Sequence, residues 1–216
     1  MVEKFHAELA PLKGDLLAMG NLAQGMLHRS MEALKTQDVT LVGSIDRDKA
    51  ELADYDHAIE QKCLRLIALY QPMAKDLRTI AASMKVITNL YRIGRYGKDI
   101  AIVVPDLADA PHVGNLVSIP HMGNLVEEMI ADALVAFEHE DLSVIDTIVK
   151  REEVVDALRY SIFRECLTYM MEDPKNITRC TNYVMIARYL ERCGDHACKI
   201  AEKVHYMVTG ERIEIR

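Results

Sequence analysis

From the N-terminus, Phe5, Leu9, Leu12, Leu16, Met19, Ala23, Met26, Ser30 and Ala33 recur at steps of four and three, the seam of a long helix packed on other helices. A first helix is predicted over about 4–36. Gly14, Gly20 and Gly25 each cost it roughly 1 kcal/mol against alanine, which makes it the least rigid of the first three. Asp38 is an N-cap candidate for the next helix, whose inner face is Leu41, Ile45, Leu52, Ile59, Cys63, Leu66 and Ile67. That helix stops at Gln71-Pro72, because proline lacks the amide hydrogen and pushes its predecessor out of helical geometry. Pro72 then opens a third helix carrying Leu77, Ile80, Met84, Ile87, Tyr91 and Gly94 inward, ending before Pro105.

Pro105, Pro111, Gly114, Pro120 and Gly123 form the densest cluster of helix breakers in the chain and mark a linker. A fourth helix is predicted from about 116 or 121 to 139, with Met122, Val126, Met129, Ala133 and Ala136 inside. A fifth follows Asp141 with Ile145, Ile148, Val155, Ile162, Cys166 and Tyr169 inside. After the turn at Glu172-Asp173-Pro174, a sixth runs from about 175 to 207 and stops at Gly210.

Leu90-Tyr91-Arg92-Ile93-Gly94 reappears as Leu190-Glu191-Arg192-Cys193-Gly194, and Asp99-Ile100-Ala101 as Lys199-Ile200-Ala201. The chain is therefore a tandem repeat. With short connections and no alternating strand pattern, the expected fold is all-α, two tandem antiparallel three-helix bundles over 1–110 and 111–216. Helices of about 30 residues span roughly 45 Å each, so an elongated molecule follows.

Half of the 216 residues are apolar, enough for a sizeable core. No apolar run reaches the length of a membrane span, and the charged N-terminus lacks the apolar centre of a signal peptide. The expected location is cytoplasmic. Cys63, Cys166, Cys180, Cys193 and Cys198 are odd in number and lack Cys-x-x-Cys framing, which fits reduced core thiols. The net charge of −7 argues against a nucleic-acid partner. It is concentrated in the second half, net −6 against −1 in the first.

Two acid pairs lie in that second half. Glu191 and Asp195 are four residues apart, as are Glu152 and Asp156 in the preceding helix, so each pair shares one helical face. Four carboxylates from adjacent helices suit a hard cation in a bundle. Arg188, Arg192 and Lys199 beside one pair, and Arg151 and Arg159 beside the other, equally suit ordinary ion pairing. His196 reads as a further ligand or as a polar flanking residue. In the third helix Arg78, Lys85, Arg92 and Arg95 form a basic stripe, which reads either as a solvated face or as a docking edge for an acidic partner or an anionic membrane surface. Phosphate itself is not assigned there, since no glycine-rich anion loop precedes a helix start. A second functional class, the ferritin-like di-metal carboxylate proteins, needs Glu-x-x-His on two helices. Glu202-x-x-His205 fits once, and Asp54-x-x-His57 is at best a variant in the other repeat.

Ile59-Glu60-x-Lys62-Cys63, Gln71-Pro72-x-Ala74-x-Asp76-Leu77-Arg78, the two Leu-x-Arg-x-Gly segments, Glu152-x-x-x-Asp156, Tyr169-Met170-Met171-Glu172-Asp173 and Gly194-Asp195 together resemble the PhoU family of phosphate-uptake regulators. The likeness runs over about residues 5–210. It implies a non-enzymatic, cytoplasmic accessory, usually a homodimer, acting on a phosphate ABC transporter and a sensor histidine kinase to hold down uptake and starvation signalling. It also implies iron, zinc or magnesium at Glu152, Asp156, Glu191 and Asp195. The first repeat departs from the family pattern. Tyr91 and Arg95 replace one acid pair, and Lys49 and Ala53 replace the other, or Asp48 and Leu52 with a one-residue shift. Metal is therefore expected in the second bundle only.

Overall fold

The computed structural model describes residues 2–116 and 118–215. Six long helices carry the fold: α1 (Val2–Thr36), α2 (Val42–Tyr70), α3 (Ala74–Ile102), α5 (Ile119–His139), α6 (Ile145–Glu172) and α7 (Ile177–Thr209), with the single-turn α4 (Val104–Leu107) after α3. No strand occurs among the described residues. α1 to α3 form one antiparallel three-helix bundle and α5 to α7 the other.

The helix ends follow from local chemistry. Asp38 and Asp141 each accept a backbone N–H two residues on, from Thr40 and Ser143, and so cap the turns ahead of α2 and α6. Gln71 is left-handed, with φ 48°. α3 opens at Ala74 rather than at Pro72, because Met73 is extended. Gly210 ends α7 with φ +83°, a conformation that glycine adopts without steric cost. Pro11 lies inside α1, which nevertheless runs unbroken.

The linker does not separate two cores. α3 packs along α7 as extensively as α6 does, α1 also meets α5, and the buried residues form one continuous cluster. Four helices, α1, α3, α7 and α5, surround this shared interior, while α2 and α6 lie on its flanks. α2 accordingly buries a single stripe, Ile45, Leu52, Ile59, Cys63 and Leu66. α3 buries a second stripe including Val86, Leu90, Ile93 and Gly97, and leaves the expected inward residue Leu77 exposed.

The two repeats face one another across a local two-fold. α3 and α7 run antiparallel: Arg78 reaches the carbonyl of Met207, Asn89 meets His196, Ile93 meets Cys193, and Tyr96 stacks on Tyr189 at 5.8 Å. The α1–α5 contact is reciprocal as well. Leu134 fills the space over Gly20, and Met31, its repeat counterpart, fills the space over Gly123. The linker is fastened to both repeats. Gln37 and Arg179 donate to the carbonyls of Leu107 and Ala110, and His112 bonds Leu34 and Tyr183. Burial lowers the pKa of His112 below the ordinary imidazole value. The neutral ring then donates from Nε2 to the Leu34 carbonyl and accepts the Tyr183 hydroxyl proton at Nδ1.

Gly97 is where α3 comes closest to α1. A Cβ there would stand 3.0 Å from the backbone nitrogen of Leu27 and 3.1 Å from its Cα, and the buried Ser30 hydroxyl lies 2.6 Å from the Gly97 carbonyl. Gly97→Ala is expected to destabilise the protein by about 1–3 kcal/mol. Gly14 has no neighbour over its Cβ position, so Gly14→Ala is expected to stabilise by about 0.5–1 kcal/mol. Urea denaturation of the two variants checks the opposite signs.

Candidate functional site

The acid pairs converge in the outer groove between α6 and α7. Gly194 keeps the helices close: the side chains of Met129 and Val155 lie 3.5 and 3.7 Å from where its Cβ would be. On either side of this level α6 contributes Glu152 and Asp156, and α7 contributes Glu191 and Asp195. Glu152 is buried, with 9% of its surface exposed, and Glu191 has 13% side-chain exposure. Burial raises the pKa of Glu152, with Asp156, Asp195 and Glu191 adding to the shift. Burial and Asp195 raise that of Glu191, against the opposing pull of Arg192 and Arg159. The cluster holds more negative charge than its surroundings neutralise.

Two arginines engage part of it. Arg192 donates to Asp195 at 2.9 Å and lies 3.5 Å from Glu191 Oε2, while Arg159 lies 3.8 Å from Glu191 Oε1. Glu191 Oε2 is buried and has no hydrogen-bond partner, a cost that a proton or cation would relieve. The donor set is all carboxylate oxygen and so suits a hard cation. Glu152, Asp156, Glu191 and Asp195 are the residues that would hold one. With the arginines seated as they are, no three acids among the described residues surround a common point.

The other candidates fall elsewhere. His196 turns from the acids to the α3 junction, where Nδ1 donates to Asn89 at 2.8 Å and the ring lies 5.9 Å from Tyr96. Burial there, with Lys199 nearby, lowers its pKa to about 4. Arg78 is drawn off the basic stripe by the Met207 carbonyl at 3.4 Å, whereas Lys85, Arg92 and Arg95 are exposed. Asp48, beside the first repeat's counterpart positions, pairs with Arg29 of α1. The ferritin-like pattern is not assembled. Asp54 and His57 are exposed on α2, while Glu202 accepts the Ile215 N–H and pairs with Lys203 at the far end of α7.

The glycine contacts fix the register between repeats. Leu52 stands over Gly94 as Val155 stands over Gly194, which makes Lys49 and Ala53 the counterparts of Glu152 and Asp156, without the one-residue shift. A structural feature that sequence reasoning passed over is the α3–α7 junction of Tyr96, Tyr189, Asn89 and His196. Its signal was present in the shared repeat position of Tyr96 and His196.

The PhoU domain family matches residues 16–104 and 119–204, once per repeat. The chain belongs to the PhoU family. A Clostridium acetobutylicum protein named a phosphate-specific transport system accessory protein PhoU homolog is 35% identical over 212 residues, 98% of this chain and 97% of its own length. A similarly named protein of Caulobacter vibrioides is 38% identical over 213 residues, 98% of this chain and 93% of its own. The crystal structure of PhoU from Pseudomonas aeruginosa superposes with a TM-score of 0.91 at 34% identity, covering 96% of this chain and all of that one. The phosphate transport system regulatory protein PhoU from Streptococcus pneumoniae gives 0.89 at 30% identity, over 97% of this chain and 99% of its own. PhoU proteins thus share both repeats and the whole helical frame of this chain.

A raised carboxyl pKa in the folded state means that folding takes up protons. The stability associated with Glu152 and Glu191 is fully present below the ordinary carboxylate range and is lost as pH rises through their elevated folded values. Glu152→Gln is therefore expected to raise the melting temperature at pH 7.5 and to leave it nearly unchanged at pH 4. Thermal melts of wild type and variant at the two pH values check this, and equal stabilisation at both would rule out the electrostatic cause.

Proposed function

We propose that the protein is a non-enzymatic regulator of phosphate transport, working at the cytoplasmic face of the membrane on a phosphate ABC transporter and its sensor histidine kinase, as a homodimer. What supports this most is the match to PhoU proteins along nearly the whole chain, through both repeats, whose own names describe accessory and regulatory roles in phosphate transport. No described helix is long and apolar enough to cross a membrane, so the reading has the protein dock on a membrane complex through its helical faces. The exposed cations Lys85, Arg92 and Arg95 suit an acidic partner surface or anionic headgroups, each basic residue contributing about 1 kcal/mol near such a surface. Deleting the gene is expected to raise phosphate uptake and starvation-gene expression in high phosphate. Unchanged levels of both would count decisively against the reading.

We further propose that the α6–α7 acid cluster takes iron, zinc or magnesium, and that the first repeat takes none. Crowded, partly buried carboxylates with an unsatisfied oxygen favour a cation, whereas Tyr91, Arg95, Lys49 and Ala53 offer no carboxylate at the matching level. Metal analysis after loading is expected to find an ion that Glu191→Ala/Asp195→Ala abolishes. Metal retained by the double variant would place it elsewhere.

A further inference from the structure

After Gly210 the chain reverses and runs back along the groove between α3 and α7. The return is fastened at both ends. Near the turn, the Glu211 N–H donates to the Thr209 hydroxyl, and further on the Ile215 N–H donates to Glu202 Oε1 at 3.1 Å. Beneath it lies a cavity of about 390 Å³, to which α3 contributes Lys85, α7 contributes Glu202, Lys203 and Tyr206, and the returning segment contributes Arg212 and Ile213.

The charge inside is unbalanced. Among the described residues that line it, three cations face one carboxylate, and that carboxylate is already committed, Oε2 to Lys203 at 3.3 Å and Oε1 to the Ile215 N–H. Among the described residues neither Lys85 nor Arg212 is in an ion pair. Arg212 lies 5.8 Å over the Tyr206 ring, which holds its guanidinium at the mouth of the cavity. Unpaired cations gathered on a partly enclosed, low-dielectric wall focus a positive potential into the space between them.

The fold itself does not need these charges. In the repeat-related place on the other side of the two-fold, Lys85 corresponds to Met185 and Lys203 to Val103. Met185 is exposed and Val103 half-buried, so the same helix pair forms there without cations at these positions. Packing of this helix pair therefore does not call for cations at these positions.

We propose that this cavity is a binding site for a phosphate group, free or carried on a nucleotide, with Lys85, Lys203 and Arg212 supplying the charge and Tyr206 and Ile213 the apolar wall. A dianion matches the excess of two positive charges left after the Glu202–Lys203 pair. The guanidinium fork and two ammonium groups offer enough donors for its oxygens. The ring of Tyr206 offers a stacking face if a base accompanies the phosphate. This site stands on the groove's geometry and charge, whether or not the regulatory reading holds.

The test is calorimetric titration of the full chain with inorganic phosphate and, separately, with adenosine diphosphate. Saturable binding is expected, weakened roughly tenfold or more by Lys85→Met and by Arg212→Ala, as for loss of one charge-assisted contact. Arg95→Met, which removes an exposed charge outside the cavity, is expected to leave it unchanged. Tighter binding of adenosine diphosphate, loosened by Tyr206→Leu, identifies the nucleotide as the source. Binding of inorganic phosphate at least as tight identifies the free ion. No saturable binding of either probe, or binding that Lys85→Met and Arg212→Ala leave intact, overturns the proposal. Because the regulatory reading is tested in a deletion strain, the two can fail separately.

Discussion

The antiparallel seam of α3 against α7 is the constraint on which the rest of the molecule depends. Each of these helices has to satisfy its own bundle on one side and the opposite repeat on the other, so each is buried on two faces. A helix with two buried faces cannot be shifted by a turn without exposing one of them. The close approach of α1 at Gly97, with Ser30 donating to the Gly97 carbonyl, fixes α3 from behind. α1 and α5 then close the ring through Gly20 with Leu134 and Gly123 with Met31. Once that four-helix interior is set, α2 and α6 need only one stripe each, and their outer faces are released from the demands of packing.

The division into inner and outer helices explains what was legible in the sequence. Wherever a helix has one buried face, the periodicity named it. Ile45, Leu52, Ile59 and Cys63 of α2 and Ile148, Val155, Ile162 and Cys166 of α6 are all buried as their spacing implied. On α1 and α3 a single stripe was only half the answer. Leu27 and Leu34, and Val86 and Ile93, are buried because a second partner lies against them. No period in one helix identifies a neighbour contributed by residues a hundred positions away. The linker carried a similar ambiguity. Its prolines and glycines correctly signalled irregular chain, but Arg179, Gln37 and His112 pin that chain to both repeats.

The acid site was legible in part for a related reason. Spacing of four put each carboxylate pair on one face, and the structure brings both pairs to one groove, where their mutual influence on pKa shows their proximity. The geometry of the arginines was hidden, since whether Arg192 points to Asp195 or to solvent depends on rotamers that a sequence does not specify. His196 shows the limit most directly. It adjoins Asp195 in the chain, yet the next position on a helix turns by about 100°, enough to carry it out of the groove and onto Asn89.

Comparing the repeats level by level separates what the fold requires from what it permits. Between the first and second helices of each bundle an ion pair is kept with its signs exchanged, Arg29 with Asp48 in one and Asp132 with Arg151 in the other. At that level the fold requires opposite charges and is indifferent to which helix supplies which. Between the second and third helices, the level of the acid cluster is not matched in this way. The first repeat places Lys49, Ala53, Tyr91 and Arg95 where the second places four acids. Since the first repeat reaches the same fold without them, the acids are not needed for it. They also work against it, because burial and mutual repulsion raise the pKa values of Glu152 and Glu191, and a carboxylate so shifted lowers stability near neutral pH. A cluster that opposes folding, in a groove that a sister repeat fills without it, is not explained by packing, and the cation proposed for it would offset the repulsion.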